Sequence, residues 1–286
     1  MRHFVILVIL VVLIILVLLC TSRKIQEQFI GSHTIPNIIW TYWDNDTLPE
    51  VVQRCVDTWR LHNPSFTVNV LGPSNLRKYM DIDVKRLKFI DGPTRESDAI
   101  RIYILEKYGG IWSDATILVT KPYSFPMTSQ YEFIGYYIAS FTTNQDYPVL
   151  ENWFFATIPH GNFIRKWKEA FYALEELGNV DAGLAYMKRE GVDFQKINST
   201  HYLYMHVCAQ YVMQKQMTPD EIRDTMYLRK AEDGPFKYLT ENAWDSTKAI
   251  EELCQGNNIT EIVKFRGGER GILMGREDLA DCIFED

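Results

Sequence analysis

Hydrophobic positions are densest in residues 94–120, where the pattern predicts a buried helix followed by a strand. The helix is expected to begin at Pro93-Thr94 and to end at Gly109-Gly110, since proline suits a first helical turn and glycine a helix end. Residues 97–105 are almost entirely apolar, so the helix should be buried on most sides. Residues 111–119 are rich in β-branched side chains and predict a strand.

Charged residues interrupt this apolar segment at positions that indicate a site. Asp98 and Arg101 are three positions apart, so they share a helix face and should meet each other or a common ligand. Side chains alternate along a strand, which predicts that Trp112, Asp114 and Thr116 share one face. An internal salt bridge would explain Asp98 and Arg101 without any function. It would leave Asp114 unexplained.

The remaining apolar segments alternate between strands and helices. This order predicts a parallel sheet with crossover helices, in which ligands bind beyond the carboxyl ends of the strands. The C-terminal half is predicted to be mostly helical. The expected strands span residues 37–43, 67–71, 130–140 and 152–157, and the expected helices span residues 49–62 and 199–216, with a further helix after Gly161.

The N-terminal segment is predicted to lie outside the folded domain. Residues 4–20 are apolar over a length that suits a short membrane helix, and the exit is a poor cleavage site, which favours an uncleaved signal anchor over a signal peptide. Residues 1–3 form a short flank, residues 21–34 a polar stalk, and residues 35–286 a single domain. Basic residues flank both ends of the apolar run, so charge alone leaves the orientation open.

Composition narrows the classes of partner. The 286 residues are 47% hydrophobic, which suits a globular domain, and their formal net charge is −7. Without a basic stripe to neutralise phosphates, a nucleic-acid partner is not expected. The five cysteines show no metal-binding spacing and leave one or two disulfides open. Sequons at Asn45, Asn198 and Asn258 are compatible with lumenal exposure.

Two motifs, and shorter segments around Asn152, His206 and Lys237, resemble those of the capsular polysaccharide synthesis proteins. One is S-D-x-x-R followed by Y-G-G-x-W-x-D-A-T, and the other is I-P-x-I-I-W-x-x-W in residues 35–43. That family is related to the DXD sugar transferases, which include outer-chain mannosyltransferases and clostridial glucosylating toxins. The resemblance implies a GT-A-type α/β fold with a mainly parallel central sheet.

The same resemblance implies an activity. A sugar would move from a nucleoside diphosphate sugar to a glycan, polysaccharide or glycoprotein acceptor, with retention of anomeric configuration. Anchored sugar transferases usually place the catalytic domain in the lumen, so a single-pass type II arrangement is expected.

Roles for individual residues also follow from the resemblance. Asp98, Arg101 and Asp114 would be the catalytic residues. Asp98 and Arg101 would hold the donor ribose or sugar, while Asp114 and Thr116 would hold a divalent cation, Mn²⁺ or Mg²⁺. Trp43 would stack on the nucleotide base. Substrate contacts, including Lys237 on the diphosphate, are implied at Thr41, Tyr42, Trp43, Trp112, Asn152, His206 and Lys237.

One position departs from the DXD pattern. Thr116 stands where the relatives have a second acid, and hard cations prefer carboxylate oxygens to a hydroxyl. An alternative is therefore a sugar-nucleotide-binding or scaffold protein with a degenerate metal site.

A third hypothesis starts from Asp44 and Asp46, which resemble the opening motif of haloacid-dehalogenase-type phosphohydrolases. That family needs a later acidic pair at a strand end, but Asp278 and Asp281 fall in the C-terminal tail. After Ile259 the sequence shows no chemically suggestive motif.

Overall fold

The computed structural model describes residues 32–284 of the chain. Within this range no helix has both the length and the apolar character needed to cross a bilayer. The predicted anchor, residues 4–20, and most of the predicted stalk lie outside the described residues. The fold of the remaining chain agrees with the expected α/β class.

The strands alternate with helices through the first half of the chain, as predicted. In chain order they are β1 (His33–Thr34), β2 (Ile38–Tyr42), β3 (Thr67–Leu71), β4 (Gly110–Ser113), β5 (Ile117–Val119), β6 (Thr128–Ser129), β7 (Phe133–Tyr137), β8 (Leu150–Thr157), β9 (Met226–Lys230) and β10 (Ile262–Lys264).

Helices dominate the chain after β8, which confirms the helix-rich C-terminal half. They are α1 (Glu50–His62), α2 (Pro93–Tyr108), α3 (Asn162–Tyr172), α4 (Leu174–Leu177), α5 (Val180–Arg189), α6 (Tyr204–Gln216), α7 (Pro219–Thr225), α8 (Lys237–Thr240), α9 (Ser246–Cys254), α10 (Gly267–Gly275) and α11 (Glu277–Phe284).

The central sheet has six strands in the order β3-β2-β4-β8-β7-β9. The pairs β2-β3, β2-β4 and β7-β9 are parallel, whereas β8 runs antiparallel to both of its neighbours. The sheet is therefore mixed but mainly parallel, as expected. Because β8 is reversed, its first residues lie at the edge where β2 and β4 end.

Alternating side chains divide the core into two clusters, one on each face of the sheet. Trp112 of β4 packs in the cluster that includes residues of α2, α3 and α6. Ile111, its neighbour in the strand, packs in the cluster that includes residues of α1, α8 and α9. A disulfide joins Cys254 at the end of α9 to Cys282 in α11.

Helix α2 spans the predicted residues and leads directly into the sheet. Gly109 and Gly110 have φ angles of +64° and +91°, in the left-handed region that favours glycine. A Cβ atom on Gly110 would lie 2.5 Å from the carbonyl oxygen of Ile38. Glycine therefore allows β4 to begin against β2 immediately after the helix.

The single strand predicted for residues 111–119 is in fact two strands. β4 lies in the central sheet, whereas β5 pairs antiparallel with β10 in a separate two-stranded sheet. The Asp114 amide donates to Trp153 O, and a turn follows in which the Ile117 amide donates to Asp114 O (3.1 Å). Residues 114–116 are therefore not in a strand, and the alternation that predicted a shared face for Trp112, Asp114 and Thr116 does not apply to them.

Candidate active site

The edge of the sheet where β2 and β4 end borders a cavity of about 640 Å³. Tyr42 and Trp43 line it from the end of β2, and Asp114 lines it after β4. Asn152 lines it from the start of β8, and Asp98 from the first turns of α2. The cavity therefore lies where the predicted parallel sheet should bind a ligand.

Asp98 is the centre of a buried polar cluster. Its Oδ1 accepts a hydrogen bond from Asn152 Nδ2 (3.0 Å) and lies 3.5 Å from Arg101 Nη1, while its Oδ2 lies 3.9 Å from Arg95 Nη1. Burial raises the pKa of Asp98, and the two arginines partly oppose that shift. The predicted meeting of Asp98 and Arg101 on one helix face is confirmed.

Arg101 connects this cluster to the end of β4. Its Nη1 donates to the backbone oxygen of Asn152 (2.7 Å), and its Nη2 lies 3.4 Å from Asp114 Oδ1. Its guanidinium carbon is 5.2 Å from the centre of the Trp112 ring. The three residues predicted to be catalytic, Asp98, Arg101 and Asp114, therefore adjoin one another in the cavity wall.

Trp112, predicted as a substrate contact, does not line the cavity. The side chain is fully buried in the core cluster that includes residues of α2, α3 and α6. Its Nε1 donates a hydrogen bond to Asp114 Oδ1 (3.0 Å). Trp112 is therefore a positioning residue for the Asp114 carboxylate.

Lys264 of β10 contacts both predicted metal ligands. Its Nζ lies 2.7 Å from Asp114 Oδ2 and 3.1 Å from Thr116 Oγ1. Burial would raise the pKa of Asp114, but Lys264 and then Arg101 outweigh that effect and hold it below the usual range. The Asp114 carboxylate is therefore already paired with the positive charge of Lys264.

These side chains do not fit the divalent cation that the sequence predicts. The hydroxyl of Thr116 donates to the backbone oxygen of Phe265 (2.8 Å) and also accepts from Lys264. Between residues 32 and 284, no three His, Cys, Asp or Glu side chains come together as a potential metal site. Mn²⁺ and Mg²⁺ favour several oxygen ligands, which this arrangement does not offer.

The three residues predicted at the end of the first strand occupy different environments. Thr41 is fully buried and does not line the cavity, because β2 directs alternate side chains to opposite faces. Tyr42 lines the cavity and donates to Glu96 Oε1 (2.8 Å). Trp43 is half-buried in the cavity wall, and Arg270 stacks over its ring at 5.6 Å.

Asn152 and His206 line the cavity as predicted. Asn152 donates to Asp98, and His206 Nε2 lies 3.3 Å from Glu151 Oε2. The other ring nitrogen of His206 is buried and has no hydrogen-bond partner among residues 32–284. Such an atom is a candidate contact for a bound polar ligand.

Lys237, predicted on the diphosphate, begins α8 and, like Thr41 and Trp112, does not line the cavity. The basic residues that do so after β9 are Lys264, Arg266 and Arg270. All three follow Ile259, in a part of the sequence that shows no chemically suggestive motif. A short apolar run ending in Lys264-Phe265-Arg266 and followed by Gly267-Gly268 was the available signal for a strand end leading into a helix.

The acidic residues of the phosphohydrolase hypothesis do not meet. Asp44 is exposed at the cavity, whereas Asp46 Oδ1 accepts from the Ser74 amide (3.0 Å). Asp278 and Asp281 do not line the cavity and form salt bridges with Arg276 and Arg54 respectively. The constellation needed for that chemistry is absent from the described residues.

The mixed α/β fold, with its polar cavity at the strand ends, agrees with the family that matches the chain. Residues 19–180 match the family described as capsular polysaccharide synthesis protein. Since this is more than half of the sequence, the chain belongs to that family, as its motifs predict.

Comparison with curated proteins finds the O-glycosyltransferase braB of Annulohypoxylon truncatum. It is 29% identical over an alignment of 158 residues, and the match covers 48% of this chain and 37% of that protein. The chain thus spans little more than a third of the length of this relative. The predicted enzyme class matches the relative's name.

Comparison with solved structures finds three proteins that are named as glycosyltransferases. PaToxG glycosyltransferase has a TM-score of 0.36 and 18% identity over 70% of this chain and 90% of its own. A glycosyltransferase involved in glycosylation of the major capsid of PBCV-1 has a TM-score of 0.44 and 10% identity over 84% of this chain and 100% of its own. The ligand-free glycosyltransferase domain from the YGT toxin has a TM-score of 0.43 and 10% identity over 84% of this chain and 89% of its own.

Proposed function

We propose that this protein is a glycosyltransferase that moves a sugar from a nucleoside diphosphate sugar to a glycan, polysaccharide or glycoprotein acceptor. The observation that carries this proposal is the junction of Asp98, Arg101 and Asp114 in one cavity at the ends of β2 and β4. These are the acid and arginine positions that the family motifs single out. A volume of about 640 Å³ is in the range of ligand sites.

Trp43 is the proposed contact for the nucleotide base. One face of its ring is covered by Arg270, and the half-buried side chain lies in the cavity wall. Base–aromatic stacking is worth roughly 1–3 kcal/mol, which is sufficient to orient the nucleotide.

The diphosphate is proposed to lie against the basic wall formed by Lys264, Arg266 and Arg270. The first turn of α10 begins at Gly267 in the same wall, and a helix N-terminus favours an anion. Arg266 is already paired with Glu269 at 2.7 Å. Lys264 and Arg270 are therefore the stronger candidates for phosphoryl oxygens.

During transfer, the bond between the sugar C1 and the diphosphate oxygen would break as C1 bonds to an acceptor hydroxyl oxygen. The nucleoside diphosphate leaves with the bonding electron pair, and the acceptor proton passes to solvent or to a basic group. Positive charge at the diphosphate stabilises the developing anion. We extend the proposal to retention of configuration, which rests on the family resemblance.

Donor hydrolysis by the full chain tests this function. UDP- and GDP-sugars are screened for nucleoside diphosphate release, beside Asp98→Ala and Asp114→Ala proteins of verified fold. We expect release from one donor and its loss in both variants. The anomeric configuration of the product, read by NMR, tests retention.

The alternative is a sugar-nucleotide-binding protein without turnover. The complete engagement of the Asp114 carboxylate favours this alternative over a metal-loaded transferase. It predicts saturable nucleotide binding with no release from any donor and acceptor tested. Absence of both binding and release would contradict both functions.

We further propose a lumenal catalytic domain anchored through residues 4–20. The Cys254–Cys282 disulfide supports an oxidising compartment, since such bonds are rare in the cytosol. Protease protection in sealed microsomes, with and without detergent, tests the orientation. Digestion of the domain without detergent would contradict it.

A further inference from the structure

Asp114 has no carboxylate oxygen without a donor beside it. Oδ1 accepts from Trp112 Nε1 at 3.0 Å and lies 3.4 Å from Arg101 Nη2, whereas Oδ2 lies 2.7 Å from Lys264 Nζ. An incoming cation would have to displace at least one of these groups. Two of them carry positive charge, which would itself repel the cation.

Of the three other carboxylates that line the cavity, two are also engaged. Asp98 is shared by Asn152, Arg95 and Arg101, and Glu151 lies against His206. Asp44 is exposed at the cavity. Among the described residues, the cavity lining therefore offers no pair of open carboxylates of the kind that holds a hard cation.

Lys264 is held firmly in its position. β10 pairs with β5 so that Lys264 lies opposite Ile117. The Phe265 amide donates to the backbone oxygen of Thr116 (3.0 Å). The backbone oxygen of Lys264 accepts from the hydroxyl of Tyr238 (2.8 Å). Only 8% of the residue is exposed, so its ammonium is fixed in place before any ligand binds.

The hydrogen-bonding capacity of this ammonium is not exhausted. A lysine carries three N–H donors, and Asp114 and Thr116 take two of them. Lys264 also lines the cavity, so the third donor is available for a ligand oxygen there. A positive charge with one open position is what a carboxylate-bound cation would supply to a diphosphate.

We propose that Lys264 takes the place of the divalent cation, so that this chain binds a nucleoside diphosphate without metal. The inference rests on the proposed function and specifies how its donor is held. Asp114 and Thr116 position the ammonium, and the third N–H of Lys264 contacts a phosphoryl oxygen. The second acid of the DXD pattern is then unnecessary, because no metal needs a second carboxylate.

The test measures binding of UDP and GDP to the full chain by calorimetry, with EDTA and then with Mn²⁺. We expect equal affinity in the two conditions. Mn²⁺ alone, followed through the EPR amplitude of the free ion, should not bind to the protein. Affinity that appears only with Mn²⁺, or a Mn²⁺ site lost in Asp114→Asn, would overturn this inference and leave the proposed function standing.

Lysine variants supply the second arm. Lys264→Met should weaken nucleotide binding at least about tenfold, because a charge-assisted hydrogen bond is lost, and Mn²⁺ should not restore it. Lys264→Arg keeps the charge and should retain most of the affinity. It supplies the comparison if Lys264→Met fails to fold. Lys237→Met, outside the cavity, is the matched control and should bind as the wild type does.

The two failures are distinguishable. Nucleotide that binds in EDTA but equally well to folded Lys264→Met overturns the role of Lys264 alone. Nucleotide that binds under no condition overturns the proposed function, and this inference with it.

Discussion

The ammonium of Lys264 lies 2.7 Å from Oδ2 of Asp114, although the two residues are 150 positions apart. The contact joins the turn after β4 to the last residue of β10. It lowers the pKa of Asp114 and gives the cavity wall a fixed positive group. The charge balance of the site is thus set by a residue outside the motif that predicted it.

Removal of the Asp98 carboxylate should destabilise the protein strongly. Arg95 and Arg101 are about 95% buried, and Asp98→Ala would leave their charges without this partner. Breaking a buried ion pair typically costs about 3–5 kcal/mol of unfolding free energy. Urea denaturation followed by circular dichroism measures the change. Asp98→Asn retains an acceptor for Asn152 and serves as the milder comparison, and a loss below about 1 kcal/mol in Asp98→Ala would contradict the role of the cluster.

Stability should depend on pH through Asp114. Its pKa is lowered on folding from an ordinary value of 3.8, so its contribution is present above that pH and is lost as the pH falls through the folded value. The difference in unfolding free energy between wild type and Asp114→Asn should therefore be larger at pH 7 than in strong acid. Asp98, whose pKa is raised, acts in the opposite direction in both proteins. A difference that is the same at every pH would contradict the prediction.

Nucleotide affinity should depend on the ring of Trp43. Trp43→Ala removes the stacking surface and should weaken UDP or GDP binding by roughly 1–3 kcal/mol. Trp43→Phe keeps an aromatic face and should recover much of that loss. The side chain is only half-buried, so neither change should unfold the domain. Calorimetric titration gives the affinities, and unchanged binding in Trp43→Ala would place the base elsewhere.

The disulfide between Cys254 and Cys282 should stabilise the C-terminal helices. It closes a loop of 28 positions, for which chain entropy predicts a contribution of about 2–4 kcal/mol. Cys282→Ser should lower the midpoint of thermal unfolding. A reductant should lower the midpoint of the wild type in the same way. The variant itself should not respond to the reductant, and a response would show that another thiol pair is involved.

Local patterns predicted much of the architecture. The limits of α2 follow from Pro93 and the Gly109-Gly110 pair, and β3 spans the predicted residues 67–71. The Asp98–Arg101 pair follows from helix geometry, because residues three apart share a face. Each of these features depends on neighbours within a few positions.

The prediction from strand alternation was wrong at residues 114–116, where a hydrogen bond to a distant segment and a turn replace the strand. Trp153 binds the amide of Asp114, and a turn follows, so Trp112 is buried while Asp114 remains at the cavity. Thr41 is likewise buried, because core clusters that include helices cover both faces of the central sheet. Apolar composition alone did not distinguish one strand from two.

By itself the sequence determined the family, the α/β class and the acid and arginine positions of the site. These properties are encoded in short motifs and in helix and strand periods, which are local. Only the tertiary structure brought Lys264, Arg266 and Arg270 to the cavity and moved Lys237 away from it. The physical reason is that the pairing of β10 with β5 is antiparallel and long-range. A local pattern can mark the end of β10, but it does not show that β10 pairs with β5 or in which register.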